Sequence, residues 1–356
     1  MKVTFLAAVA VGFALLFGGT AMAHGGPGGA VYTQTNSPAG NAVHRLDRGS
    51  DGSLTPVAIY RTGGTGTGAG LGSQGPVALS DDGRFLVATN GGSNDVSAFR
   101  VGRRGHLTLI ARVPSGGVLP NSVDIDRGKV YVLNSAGATP NVTAFDIDGS
   151  GDLRAIGSSA LAPGSANAAQ VSATPDGRSL VVTVRANNQI QTFPLRFGRP
   201  GAPIVSASAG AVPFGFAFSE RGDLIVSEAG ASTVSSYRLG RDGLVSPITS
   251  ALGVGQGAAC WVAVTEDGRF AYTGNATGSI SGFAIQRDGS LRALNADGIT
   301  APAPRPNDLA IVGNTLYAVN PFTQEVTAYR IAGDGSLTEL PRLAPLGTSL
   351  AGLAAR

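Results

Sequence analysis

Apolar positions along this chain come in short runs that alternate or stop within a few residues, and the stops are Gly, Asn, Asp or Ser. Residues 83–107 show the unit. An apolar run at 85–88 ends at Asn90, a Gly/Ser/Asn turn follows, a second run alternates over 96–101, and Gly105-His106-Leu107 opens a third. Runs of that length with turn residues between them predict an antiparallel meander.

The unit recurs. A branched residue followed three positions later by a ring stands at Val96/Phe99, Val142/Phe145, Ile190/Phe193, Val234/Tyr237, Ile280/Phe283 and Val326/Tyr329, with a weaker copy at Val43/Leu46. Successive copies begin 53, 46, 48, 44, 46 and 46 residues apart. Six of the seven outer strands open on a Gly-x-Leu or Gly-Leu signature, beginning at Gly52, Gly105, Gly151, Gly243, Gly289 and Gly335; the seventh, over 197–204, is degenerate. A period of roughly 40 to 50 residues with four short strands describes a propeller blade, so the expected fold is all-β, a seven-bladed β-propeller of four-stranded antiparallel blades. Residues 31–36 read as a second strand without a first, and 345–354 follow a complete blade. The C-terminal strand is therefore expected to complete the first blade and close the ring.

Between the first and second strands of most repeats lie Asp-Gly pairs such as Asp82-Gly83, Asp176-Gly177 and Asp267-Gly268. Asp accepts backbone N–H groups and Gly supplies positive φ, so these are tight turns; calcium loops would need further carboxylates at alternate positions. Second strands tend to end in Asn, at Asn90, Asn134, Asn275 and Asn320, while Arg185 and Glu228 stand near the corresponding places of two neighbouring repeats. Residues 62–74 form a Gly/Thr-rich insertion without the P-loop lysine, expected to be a mobile loop on the face where blades connect.

Composition narrows the functional classes. Of 356 residues 14% are charged and 53 are Gly, which fits many buried strands joined by tight turns. The formal charge is +3, and its densest points, Arg103-Arg104 and Arg196/Arg199, are read as hairpin turns without interleaved aromatics, so no nucleic-acid partner is expected. The single cysteine, Cys260, excludes an internal disulfide and beside Trp261 reads as a small buried apolar residue, the alternative being a reactive thiol. Met1-Lys2, an apolar run over 3–17 and Thr20-Ala21-Met22-Ala23 have the order of an export signal. Residues 1–23 are thus expected to be a signal peptide, 24–30 a flexible N-terminus and 31–356 the propeller domain of a secreted or periplasmic monomer, with no integral membrane segment once the signal is removed. A membrane anchor is the alternative for the same run.

Chemistry has few candidates. His24, His44 and His106 are scattered, so no metal site is expected, and no G-x-S-x-G nucleophile elbow occurs. Polar residues expected around the channel mouth include Gln74, Asn121, Gln170, Gln256 and Asn307 as substrate-binding candidates, with Asn167 and Asp308 nearby. Arg185 could hold a carboxylate or a lactone oxygen and Glu228 could move a proton, which makes them the catalytic candidates; an inter-blade salt bridge or a hydrated rim is the alternative.

The segment Val77-Ala78-Leu79-Ser80-Asp81-Asp82-Gly83-Arg84-Phe85-Leu86-Val87-Ala88-Thr89-Asn90, followed by Asp95-Val96-Ser97-Ala98-Phe99, resembles the seven-bladed lactonase family, which includes bacterial 6-phosphogluconolactonase and the carboxymuconate-cyclising enzymes. The resemblance implies hydrolysis or closure of a small lactone at the channel mouth without a cofactor, and it places a Glu at Glu228. Where the family has a histidine-rich entrance this chain has Gly72-Ser73-Gln74-Gly75-Pro76, and where it has a Pro-Arg-His-like entrance this chain has Pro213-Phe214-Gly215. Two functions remain open at this stage. One is a divergent lactone-hydrolysing or cyclising enzyme. The other is a non-catalytic binding or scaffold propeller for a glycan, a peptide or an envelope protein.

Overall fold

A computed structural model describes residues 29–356; the expected signal peptide and residues 24–28 of the expected N-terminal tail lie outside the described residues. Seven antiparallel sheets form a ring, and each is wound from an inner strand A to an outer strand D. Blade 1 has strand B at Gly29–Gln34, C at Ala42–Arg48 and D at Leu54–Arg61. Its strand A is Ala351–Ala355, which pairs antiparallel with strand B through Val31↔Ala355, Tyr32↔Ala354 and Gln34↔Ala351. The ring therefore closes as the unpaired repeat at the head and the surplus strand at the tail require, with no open edge between first and last blades.

Blades 2 to 7 begin at inner strands Val77–Leu79, Val118–Asp126, Ala168–Ala173, Pro213–Phe218, Ala259–Val264 and Leu309–Val312. Their apolar faces meet between blades, so the core is a set of inter-blade wedges. Tyr32 and Val43 of blade 1 pack with Leu86, Phe99 and Leu107 of blade 2, and Val181 and Ile190 of blade 4 pack with Phe216, Val226 and Tyr237 of blade 5. Sheets packed face to face bury alternate residues on both sides, which is why the second strands read as almost continuous apolar runs.

The Gly-x-Leu signature has a second use beyond turning the chain. Tyr32, Tyr272 and Tyr317, each on a strand B, donate their hydroxyls to the carbonyls of Gly105 (2.8 Å), Gly335 (2.8 Å) and Gly52 (3.1 Å) in the next blade. Gly105 has φ +80°, and a Cβ there would come within 2.7 Å of the Tyr32 hydroxyl, so only glycine permits this approach. These clamps span three consecutive junctions, from blade 6 through 7 and 1 to 2, and thereby flank the closure. Each contributes about 1 kcal/mol.

Blade 4 departs from the pattern at the degenerate repeat. Its outer strand is split into Arg199–Pro200 and Ile204–Ala207, both paired with Gln189–Arg196. Phe197 lies at the tip between Arg196 and Arg199, so this basic pair does hold an aromatic, contrary to the sequence reading. Apart from one 3₁₀ turn at Arg103–Gly105 the described residues contain no helix, and none is long and apolar enough to cross a membrane.

Candidate functional site

The insertion at 62–74, expected to be a mobile loop, makes hydrogen bonds along its length. Asn36 donates to Thr67 Oγ1 (3.0 Å) and the Ala69 carbonyl (2.6 Å) and accepts from the Thr67 N–H (2.9 Å), while Ser93 Oγ accepts from the Thr65 N–H (2.9 Å). The chain then turns into the channel mouth, where Ser73, Gln74 and Gly75 form a plug. Ser73 donates its hydroxyl to the Asn121 carbonyl (2.6 Å) and accepts the indole N–H of Trp261 on its own carbonyl (3.0 Å). The Gln74 amide gives its N–H to the Val262 carbonyl (2.7 Å) and takes the Val262 N–H (2.9 Å). The Gln74 and Gly75 backbone N–H groups donate to the Ala169 carbonyl (3.0 Å) and to Asp308 (3.1 Å). Three residues thus bind blades 3, 4, 6 and 7 together.

Arg185 and Glu228 occupy different surroundings. Glu228 has no exposed surface and accepts five hydrogen bonds: from Ser208 (3.1 Å), the Gly210 N–H (2.9 Å), Thr233 (2.5 Å), Ser235 (2.7 Å) and Tyr237 (2.9 Å). The asparagines at this place in other blades explain it. Asn90 donates to Asp95 (2.6 Å) and Ser97 (2.8 Å), and Asn275 donates to Ser279 (3.0 Å) and Ser281 (2.8 Å), partners on the same two positions of strand C as Thr233 and Ser235. Glu228 keeps that link and reverses the direction of its hydrogen bonds. A carboxylate meeting this many donors is fully satisfied inside the blade.

Arg185, by contrast, is half-buried at the mouth. Its Nε donates to the Asn167 carbonyl (2.8 Å), and its guanidinium carbon lies 5.2 Å from the centre of the Phe214 ring, which meets Trp261 edge to face at 5.4 Å. Across from it is Gly72, where a Cβ would stand 2.8 Å from Nη2. Among the described residues no carboxylate is within ion-pair reach. Burial pulls the guanidinium below its ordinary value, offset by Cys260, yet an arginine keeps its charge. The same burial pushes the Cys260 thiol up to about 12, against the lowering influence of Arg185. A protonated, buried thiol packs as an apolar group.

The other candidates divide. Gln74 is in the plug. Gln170 donates to the Phe216 carbonyl (3.0 Å) and accepts its N–H (2.7 Å), and Asn121 donates to the Ala168 carbonyl (2.9 Å), so both lace neighbouring inner strands together. Gln256 bonds the Asp297 carbonyl (3.0 Å) on an outer loop. Asn307 lines a cavity of about 290 Å³ at the mouth, walled by Leu71, Ser73, Leu350 and the exposed ring of Phe322, over which Arg305 lies at 4.3 Å. Phe214 and Trp261 are legible in the sequence, one after Pro213 and one beside Cys260, but their meeting, with Phe214 against Arg185, is not.

Behind the plug runs an axial cavity of about 250 Å³ bordered by Asp124 and Asp308. Asp308 has φ +135° and accepts the N–H groups of Gly75 (3.1 Å), Leu309 (2.9 Å) and Leu353 (3.2 Å). Desolvation outweighs those bonds and pushes its carboxyl up to about 7, and desolvation likewise pushes Asp124 up to about 6 against the Ala173 N–H and Ser172. Among the described residues no three His, Cys, Asp or Glu side chains gather as a metal site.

Comparison with known proteins agrees with the ring and the repeat. A family model described as "Lactonase, 7-bladed beta-propeller" matches residues 39–167. A 6-phosphogluconolactonase of Enterobacter sp. (strain 638) is 24% identical over 322 residues, covering 87% of this chain and 93% of that protein. Among solved structures, a putative 6-phosphogluconolactonase of Bacteroides fragilis has a TM-score of 0.75 at 19% identity, over 92% of this chain and 98% of its own. A periplasmic gluconolactonase of Pseudomonas aeruginosa has a TM-score of 0.73 at 17% identity, over 92% and 98%. At such identities the structural likeness establishes the fold.

Proposed function

From a chain that carries the repeat and ring of the seven-bladed lactonase propellers, we propose a lactone hydrolase acting on a sugar-acid lactone at the channel mouth, outside the cytoplasm. The observation that carries this reading is Arg185: a half-buried guanidinium set over the Phe214 ring and against Gly72, with no carboxylate to neutralise it among the described residues. Hydrolysis adds water to the lactone carbonyl, passes through a tetrahedral oxyanion and breaks the ring C–O bond to leave a hydroxy acid. A fixed cation in a partly dry site stabilises that oxyanion and orients the ester. The cavity by Asn307 and Phe322 is walled by Leu71 and Ser73, on either side of the Gly72 that faces Arg185, and not by Arg185 itself; it is large enough for one sugar ring, with the Asn307 amide and the face of Phe322 that Arg305 leaves open available to its hydroxyl and C–H sides.

Arg185 is half-buried whereas Arg305, over Phe322, is exposed, and one half-buried guanidinium suits a neutral lactone or a single carboxylate better than a phosphate ester, so the proposed substrate is nearer to the gluconolactone of the Pseudomonas relative's name than to the phosphorylated lactone of the others. Glu228 has no surface to offer a substrate and carries no proton in this reaction. That same sealing favours the second reading, a propeller that binds an acidic sugar or peptide at Arg185 without turning it over. Hydrolysis of glucono-δ-lactone and its 6-phosphate, followed by proton release, separates the two. The expected result is turnover that Arg185→Met reduces by about a hundredfold. Binding without turnover would favour the second reading, and turnover indifferent to Arg185 would remove the first.

A further inference from the structure

The split outer strand of blade 4 builds a projection that the ring does not need. Leu195 pairs with Pro200 and Arg196 with Arg199, leaving Phe197-Gly198 as a two-residue turn at the tip. Both turn residues are left-handed, with φ +53° and +76°. The first position of such a turn ordinarily holds Asn, Asp or Gly, since a bulky side chain there is strained. Other left-handed positions of this chain hold Asn94 and Asn188, and the like two-residue turn Arg127-Gly128 holds an arginine, so the geometry does not call for a phenylalanine. Its ring is 89% exposed, more than any other large apolar side chain among the described residues.

The two charges on the hairpin itself are both positive. Arg196 and Arg199 flank it across the ladder, both exposed, and neither forms an ion pair among the described residues. Beneath the turn the stem of Lys129 lies close to Gly198, and the Arg199 stem lies along Gly157 on the neighbouring blade. The nearby acid, Asp146, is taken by Lys129 (3.0 Å) and Arg154 (2.7 Å), so it leaves the two tip arginines uncompensated.

We propose that this hairpin tip docks on an anionic lipid surface, with the Phe197 ring entering the headgroup boundary and Arg196 and Arg199 meeting lipid phosphates. An exposed ring between basic side chains has the amphipathic character of interfacial anchors, and two arginines supply the charge attraction. One ring and two charges give weak, reversible attachment that salt screens.

Co-sedimentation of the mature protein with vesicles of phosphatidylglycerol and phosphatidylcholine, against phosphatidylcholine alone, tests the proposal. Binding is expected only with the anionic lipid, falling in high salt, and weakening roughly fivefold for each of Arg196→Gln and Arg199→Gln. Phe197→Asn relieves the turn, so it keeps the fold while losing vesicle binding, and Phe197→Trp shows a blue-shifted emission on anionic vesicles. Vesicle binding by Phe197→Asn equal to wild type, or no shift for Phe197→Trp, overturns the proposal. So does a soluble dimer that Phe197→Asn converts to monomer, since the tip would then be a protein contact.

Discussion

The side chain of Gln74, on the approach to blade 2, hydrogen-bonds both the N–H and the carbonyl of Val262 on blade 6, two blades that are not neighbours in the ring. A side-chain amide thereby stands in for a strand, and the mouth of the channel is held shut from one side to the other. Replacing Gln74 with Leu leaves both Val262 groups buried without partners. Stability is expected to fall by about 2–3 kcal/mol in urea titration. Trp261, whose indole N–H bonds the adjacent Ser73 carbonyl, should report the loosened plug by a red-shifted emission.

Glu228→Gln distinguishes a structural carboxylate from a catalytic one. The amide offers one acceptor oxygen where five donors converge, and brings its own N–H₂ among them. A loss of about 2–4 kcal/mol is expected, with lactone turnover per folded molecule unchanged. A stable variant that has lost turnover would restore Glu228 as the proton carrier.

Closure by the tail predicts that a chain ending at Arg342 loses cooperative melting, because it lacks Ala351–Ala355 and exposes strand B of blade 1. A sharp, unshifted thermal transition in that truncation would contradict it.

Stability against pH should carry the mark of Asp308. Burial raises its carboxyl to about 7, so the folded state holds a proton that the unfolded chain releases near pH 4. Its contribution is complete below the unfolded value and is lost as pH rises from about 4 through about 7. His44, buried and held below its ordinary value, acts in the opposite sense as pH falls through about 6.5, and turn acids such as Asp82 and Asp267, lowered by Ser80 and Thr265 hydroxyls, lose their contribution only in stronger acid. The diagnostic is therefore the difference between wild type and Asp308→Asn. Melting temperatures that converge near pH 4 and separate toward pH 8, with the variant more stable, are expected; parallel curves would show that Asp308 is not the titrating group.

The sequence discloses whatever repeats. The ring of seven, the closing strand and the turns follow from a motif that returns on a fixed period, because each blade solves the same packing problem. The mouth does not repeat, and its contacts run across the axis between residues such as Gln74 and Val262 that share no periodic relation. Glu228 is a break in the asparagine series, whereas in blade 4 the register gives that position to Val184 and leaves Arg185 one residue beyond it. Only coordinates separate a cation left unpaired at the mouth from an acid whose hydrogen bonds have been reversed within its own blade. Phe197 is illegible for the opposite reason, since it lies in the one outer strand whose signature has decayed.

The pairing of Ala351–Ala355 with Gly29–Gln34 also sets a timetable. The strand at 351–355 is made only after the six blades that separate it from its partner at 29–34, so blade 1 keeps a bare edge while those blades are synthesised. A chain interrupted before 351 keeps that edge unpaired, open to any other strand that can add to it.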